Sequence, residues 1–402
     1  MIARKGFLKA IVGGTLGLAI GLGAPGAVDA ADKTLKIGVL GVMSGPAASW
    51  GLVNRYCAEA RAQMINKAGG IEIGGETYNI EIVSIDDRND PKVAVSGAER
   101  LIYEEGIHYI IGPNIDTTAA AVVPVIEEGG AINIPYAFSR DLYSAPRSNS
   151  ILGMIASYQA GPVIYKYLME NEGVQRVAFV SRNESDSLNQ RAEGVAAAEE
   201  LGLEIVAADA TYEAGTTDFF PILAPIIGNS PDLIVFSGVA PSDAPLLIKS
   251  ARELGYQGLL STETAQDAKI LEQVAGDAAN GFISVGGAST PEIRSDFMDQ
   301  FAGVYGEVAG EWNDEAGTKV YALEMILETL KRAGPEAIED VEAFKVAMND
   351  VSQPNPFVKE GGPMLKFVGD RFFDQNRQVN VPMVVSVYRD GAFETLFVGS
   401  VE

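Results

Sequence analysis

Short apolar runs alternate with helically spaced stretches along almost the whole chain, and this rhythm restricts the fold more than any other feature. Leu35 to Leu40 reads as a strand, Trp50 to Lys67 as a helix that stops at Gly69 and Gly70, and Ile80 to Ile85 as a strand. Pro91 to Glu105 is helical, Tyr109 to Ile111 is the next strand, Pro124 to Glu128 continues a helix, and Ala131 to Ile134 is a further strand. Strands separated by helices pair in parallel and carry helices on both faces of the sheet. A second unit repeats the pattern. Helices at 160–170, 188–201, 219–227 and 244–254 alternate with strands at 176–180, 204–207, 233–236 and 258–260. Helices at 295–305, 316–333 and 341–349 follow, and Val381 to Phe397 reads as a hairpin around Arg389, Asp390 and Gly391.

The expected fold class is therefore α/β, with two doubly wound parallel-sheet lobes. No Ser/Pro-rich linker lies near residue 150, so direct chain crossings should join the lobes. In open parallel sheets, ligands bind at the carboxyl ends of the strands. Six polar loops fall there: 43–50, 114–118 and 135–140 in the first unit, and 182–186, 237–242 and 261–264 in the second. Two sheets facing each other across a cleft would bring all six onto one small molecule.

Enzyme signatures are scarce. The sole histidine, His108, begins a strand, and the sole cysteine, Cys57, sits in a helical pattern with Tyr56, Ala60 and Met64. Both read as structural, which leaves no disulfide, no His-based zinc site and no Ser-His-Asp triad. The glycines of GVLGVMSG (38–45) have the wrong spacing for a dinucleotide turn, and no phosphate-binding Gly-Lys-Ser/Thr loop occurs. The expectation is a binding protein rather than an enzyme, with no cofactor and no metal.

Residues 1–30 read as a secretory signal peptide: a basic start at Arg4 and Lys5, a small apolar run from Ala10 to Gly23, and a Val28-Asp29-Ala30 cleavage site. Cleavage there removes Arg4, Lys5, Lys9 and Asp29 and makes the formal charge of −24 more negative by two. Such a field repels nucleic acid and anionic membrane, so no nucleic-acid partner is expected.

The quoted stretches LKIGVLGVMSGPAASWG (35–51), INKAGGI (65–71), IVSIDDRNDPKVAV (82–95), GIHYIIGP (106–113), ARELGY (251–256) and VAGDAANGFI (274–283) together resemble the periplasmic leucine/isoleucine/valine-binding proteins. These are solute receptors of ABC importers with the type I periplasmic-binding fold. The resemblance runs from about residue 35 to the end. It implies a lobe made of 31–155 and 284–355, a second made of 156–283 and 356–402, a three-strand hinge between them, and closure over the ligand. It also implies a periplasmic monomer that docks on membrane permease subunits.

The resemblance places the site residue by residue. Trp50 takes the position of an aromatic cover, Ser139 that of a head-group hydroxyl, and Ala137 that of a backbone contact. Glu263 matches the acid that pairs with an α-ammonium group. Asp116 stands where the family commonly has a serine that binds the α-carboxylate, with Thr117 and Thr118 still able to donate. Asp186 replaces a usual aromatic, and Val239 or Ala240 falls near another. Asp116 is also expected as a helix N-cap, and Arg140 as a partner of Asp141. The ligand expected is a small amino acid or related amine-bearing solute. An aromatic acid, amide or urea-like solute is the alternative, and a periplasmic sensor for a signalling partner is the alternative class.

Overall fold

The computed structural model describes residues 33–401; the expected signal segment 1–30 lies outside the described residues. The first sheet is built from β1 (Lys33–Gly41), β2 (Ile71–Ile73), β3 (Glu76–Asp86), β4 (Tyr109–Ile111) and β5 (Ile132–Ile134), in the order β2-β3-β1-β4-β5. All pairs are parallel except the β2–β3 hairpin. Successive residues of a strand face opposite sides, and β1 uses both. Ile37 and Val39 pack with Val53, Cys57 and Ala60 of α1 (Ala48–Lys67). Leu40 packs on the other face with Ala94 and Ala98 of α2 (Pro91–Glu99) and Val122 and Ile126 of α3 (Asp116–Glu128). Truncation of a side chain as buried as Leu40 to alanine costs about 2–5 kcal/mol.

The second sheet contains β6 (Arg176–Arg182), β7 (Glu204–Tyr212), β8 (Leu233–Ser237), β9 (Leu259–Ser261) and β10 (Phe282–Gly286). Three short strands, β11 (Ser352–Gln353), β12 (Leu365–Val368) and β13 (Gln378–Val379), form a separate sheet. The hairpin β14 (Met383–Arg389) and β15 (Ala392–Gly399) completes the second sheet through an antiparallel pairing with β10. Its order is β15-β14-β10-β9-β8-β6-β7. Val177, Phe179 and Val235 face α4 (Ser157–Asn171) and α5 (Ser185–Glu200), whereas Ala178, Val180 and Phe236 face Leu223, Leu247 and Ile248 of the helices beyond.

The expected α/β class with parallel-dominated sheets is what the chain adopts. Three details differ from the sequence reading. The helix expected over 91–105 ends at Glu99 and passes into a π-turn, Arg100–Glu104. The helix expected over 316–333 breaks at Val320 into Ala316–Lys319 and Tyr321–Ala333. Strands β2, β10, β11, β12 and β13 lie outside the strands expected from the sequence.

Between the two sheets the chain passes through a buried amide cluster. Gln159 Nε2 donates to Gln378 Oε1 at 2.8 Å, and Gln378 Nε2 donates to the Met154 carbonyl at 2.9 Å. Leu152 bridges Gln378 in parallel. Among the described residues no helix is long and apolar enough to cross a membrane.

Candidate functional site

Register decides where the loops gather. Val39 pairs with Ile111, and Ile111 with Ile134, so the carboxyl ends of β1, β4 and β5 finish side by side. Ser181 pairs with Ser237, and Val235 with Ser261, which aligns β6, β8 and β9 in the same way. The loops beyond both sets meet at one cleft enclosing about 550 Å³, open solvent at its mouth included. Two glycines make the approach possible. A Cβ on Gly112 (φ +100°) would lie 1.9 Å from the Leu40 carbonyl, and one on Gly238 (φ +63°) would lie 2.6 Å from the Ser187 backbone. Only glycine fits such positions.

The DDRNDP stretch shapes the first rim. Asp86 Oδ1 accepts the Met43 N–H at 2.8 Å and the Arg88 N–H at 2.9 Å, tying the end of β3 to the loop after β1. Arg88 and Asn89 turn the chain at φ of 55°. Asp90 then caps α2 through the N–H groups of Lys92 and Val93.

Of the residues singled out in the sequence, Trp50, Asp116, Ala137 and Asp186 line the cleft. Trp50 is half-buried in the first turn of α1. Ala137 is buried, and its carbonyl accepts the Tyr143 hydroxyl at 2.6 Å. The Thr118 hydroxyl donates to the Ile115 carbonyl at 3.0 Å. Thr117 is exposed and Thr118 is buried, and neither they nor Ser139 nor Glu263 line the cleft. Val239 is buried in the second core, Ala240 is buried beside it in sequence, and Gly238 lines the cleft in their place.

Asp116 does not cap α3. The N-cap is Ile115, with no side-chain cap bond, and Asp116 is the first helical residue. Its side chain reaches sideways instead. Oδ1 accepts the N–H groups of Phe138 at 2.6 Å and Ser139 at 3.0 Å, so the acid fixes the loop after β5. Burial pushes its carboxyl above the ordinary range against those two bonds. Asp186 lies in the first turn of α5. Burial, with help from the charges of Asp116 and Glu184, raises its pKa to about 6. Glu263 is 1% exposed, receives the Tyr165 hydroxyl, and is pushed up to about 7 by burial.

Arg140 pairs with Glu193 of α5 at 3.0 Å rather than with Asp141, and it covers the Tyr158 ring at 4.2 Å. Adjacent side chains diverge, whereas the second unit brings Glu193 opposite.

Sequence reasoning did not find the ion pair on the cleft floor. Lys319 Nζ donates to Glu315 Oε2 at 3.1 Å and to the Trp50 carbonyl at 3.2 Å. The two side chains are 4% and 2% exposed. Their i,i+4 spacing was the available signal, but most such pairs are solvated. Asn114 Nδ2 donates to the same Trp50 carbonyl at 3.2 Å, and Tyr136, Phe138, Met154 and Gln190 complete the principal walls. Among the described residues no group of three His, Cys, Asp or Glu side chains could hold a metal ion.

The leucine-specific-binding protein of Salmonella typhimurium is 28% identical to this chain over 280 residues, covering 68% of this chain and 71% of that protein. The Leu/Ile/Val-binding protein BraC3 of Rhizobium johnstonii is 27% identical over 329 residues, covering 80% and 84%. Among solved structures, the branched-chain amino acid transporter substrate-binding protein LivJ of Streptococcus pneumoniae, in complex with isoleucine, superposes with a TM-score of 0.77 at 22% identity over 92% of this chain and 100% of that one. A solute-binding protein of an ABC transporter from R. palustris, in complex with 4-hydroxybenzoate, does so with a TM-score of 0.72 at 18% identity over 92% and 97%. The sequence pattern described as "Periplasmic binding protein" matches residues 34–392. A match that runs through both sheets, and not through one alone, makes this chain a member of the periplasmic binding protein family.

Proposed function

We propose that the chain is an extracytoplasmic solute receptor of an ABC importer, and that it binds a small amino acid or related amine-bearing solute between two closing lobes. The observation that carries this reading is the single cleft where loops from both sheets converge. The lobes are residues 31–155 with 284–355 and residues 156–283 with 356–402, and the three crossings between them form the hinge. Residues 1–30 direct export to the periplasm, where the protein acts as a monomer and, once closed, docks on permease subunits. It has no catalytic role and no nucleic-acid partner.

The proposed contacts are Trp50, Asp116, Thr117, Thr118, Ala137, Ser139, Asp186 and Glu263. Relatives named for leucine, isoleucine and valine support the solute class. The rings of Trp50, Tyr136 and Phe138 along the cleft favour a second reading, an aromatic acid such as the R. palustris protein holds.

Melting in the presence of a solute library tests the proposal. A ligand at 100 times its dissociation constant adds about 2.7 kcal/mol to the folded state. A rise with amino acids or amines is expected. Shifts with aromatic acids alone would transfer the assignment to the second reading.

A further inference from the structure

The first turns of α3 and α5 meet across the cleft, and each presents an acid there: Asp116 from the first unit and Asp186 from the second. A helix N-terminus attracts negative charge, so these side chains already fill the places where a ligand carboxylate would otherwise sit. Asp116 is 8% exposed. Its Oδ1 is engaged by two N–H groups, while its Oδ2 is buried and accepts no hydrogen bond among the described residues. One turn beyond Asp186 on α5, Gln190 is 5% exposed and its Oε1 is equally unengaged. Both residues line the cleft.

The cleft therefore presents acceptors in search of donors. The lysine that lines it, Lys319, is committed to Glu315 at 3.1 Å, and Arg140 is committed to Glu193 at 3.0 Å. Glu184, beside Asp186, is paired with Arg182 at 3.1 Å, so that arginine is committed as well. Two carboxylates brought together in a closing cleft repel, unless one takes up a proton or a cation comes between them.

We propose that the cleft selects a solute bearing a protonated nitrogen, and that this cation sits between Asp116 and Asp186 and joins the two lobes. This assignment rests on the solute-receptor reading and names the chemical class of its ligand. A primary ammonium carries three donors, which match Asp116 Oδ2, the Asp186 carboxylate and Gln190 Oε1. The remainder of the solute lies against Trp50, Tyr136, Phe138 and Met154. Closure then follows from charge, because the cation offsets the repulsion between the acids at the two helix starts. An anionic solute would add a third negative charge to the same space.

Calorimetric titration of the whole chain at neutral pH with two shape-matched series tests this. One series is isoamylamine, isoamyl alcohol and isovalerate. The other is benzylamine, benzyl alcohol and benzoate. L-Leucine completes the panel. At least one amine is expected to bind, with its alcohol and acid at least tenfold weaker. Asp116→Asn and Asp186→Asn are each expected to weaken that amine at least tenfold. Asp116→Asn keeps the oxygen that Phe138 and Ser139 need, and a retained melting transition in both variants shows that the fold survives. An acid or alcohol binding as tightly as its amine overturns the assignment, as does unchanged amine affinity in both variants. Binding of leucine with both amines silent overturns the assignment and leaves the solute-receptor reading in place. Silence of the whole panel overturns both.

Discussion

Asp116 Oδ1 accepts the Phe138 N–H at 2.6 Å, so one acid at the head of α3 holds the loop that follows β5. A second bond, from the Ser139 N–H at 3.0 Å, completes the clasp. Hydrogen bonds to a charged group contribute about 1.5–3 kcal/mol each, and the cost of burying the carboxylate offsets part of that. Asp116→Ala is therefore expected to destabilise the protein by about 1–3 kcal/mol in urea denaturation, and Asp116→Asn by less. Equal losses in the two variants would mean that the loop does not depend on the retained oxygen.

Three acids with raised pKa values, two of them lining the cleft, give the ligand-free protein an unusual pH response. Burial raises Asp186 to about 6 and Glu263 to about 7, and it raises Asp116 in the same direction. Unfolded, such groups titrate near pH 4. The folded state thus binds more protons between about pH 4 and pH 7, and stability increases as pH falls through that window. The melting temperature of the ligand-free protein is expected to be higher at about pH 5.5 than at about pH 7.5. Binding of a cationic solute should run the other way and weaken over the same interval, because protonation removes the charge that holds it. A melting temperature that falls on acidification would contradict the burial of these groups.

Much of this was legible in the sequence, and the parts that were not share a cause. The strand Tyr109–Ile111 was readable because turns bound a compact apolar run, and the terminal hairpin because Asp390 and Gly391 mark its turn. Strand β10 (Phe282–Gly286) eluded the reading, since its five residues begin directly after a turn glycine, Gly281, and include a glycine themselves. The cleft loops followed from the strand order. The partners of the charged residues did not. Arg140 meets Glu193, and Lys319 meets the Trp50 carbonyl 269 positions away. Contacts of that range depend on the tertiary fold, and neither spacing nor propensity carries them.

The Glu315–Lys319 pair should matter as a unit. Removing one member of a buried pair leaves an uncompensated charge and costs about 3–5 kcal/mol, whereas replacing both with apolar groups of similar volume is often near neutral. Lys319→Met alone is expected to destabilise within that range in chemical denaturation. Lys319→Met combined with Glu315→Leu should recover most of the loss. No recovery would show that Lys319 acts mainly through the Trp50 carbonyl.

The chain contains two tryptophans, which makes fluorescence specific. Trp50 lines the cleft, while Trp312 donates to Asp314 Oδ1 at 2.9 Å away from it. A ligand-induced change in emission is expected to persist in Trp312→Phe and to vanish in Trp50→Phe. The reverse pattern would place the ligand elsewhere.

Native mass spectrometry of the protein purified under mild conditions from its own host tests the central claim most directly. The account predicts one small amine-bearing solute per chain, released on denaturation and displaced in the Asp186→Asn variant. A protein that carries no solute, and gains none when amines and amino acids are added, would contradict it.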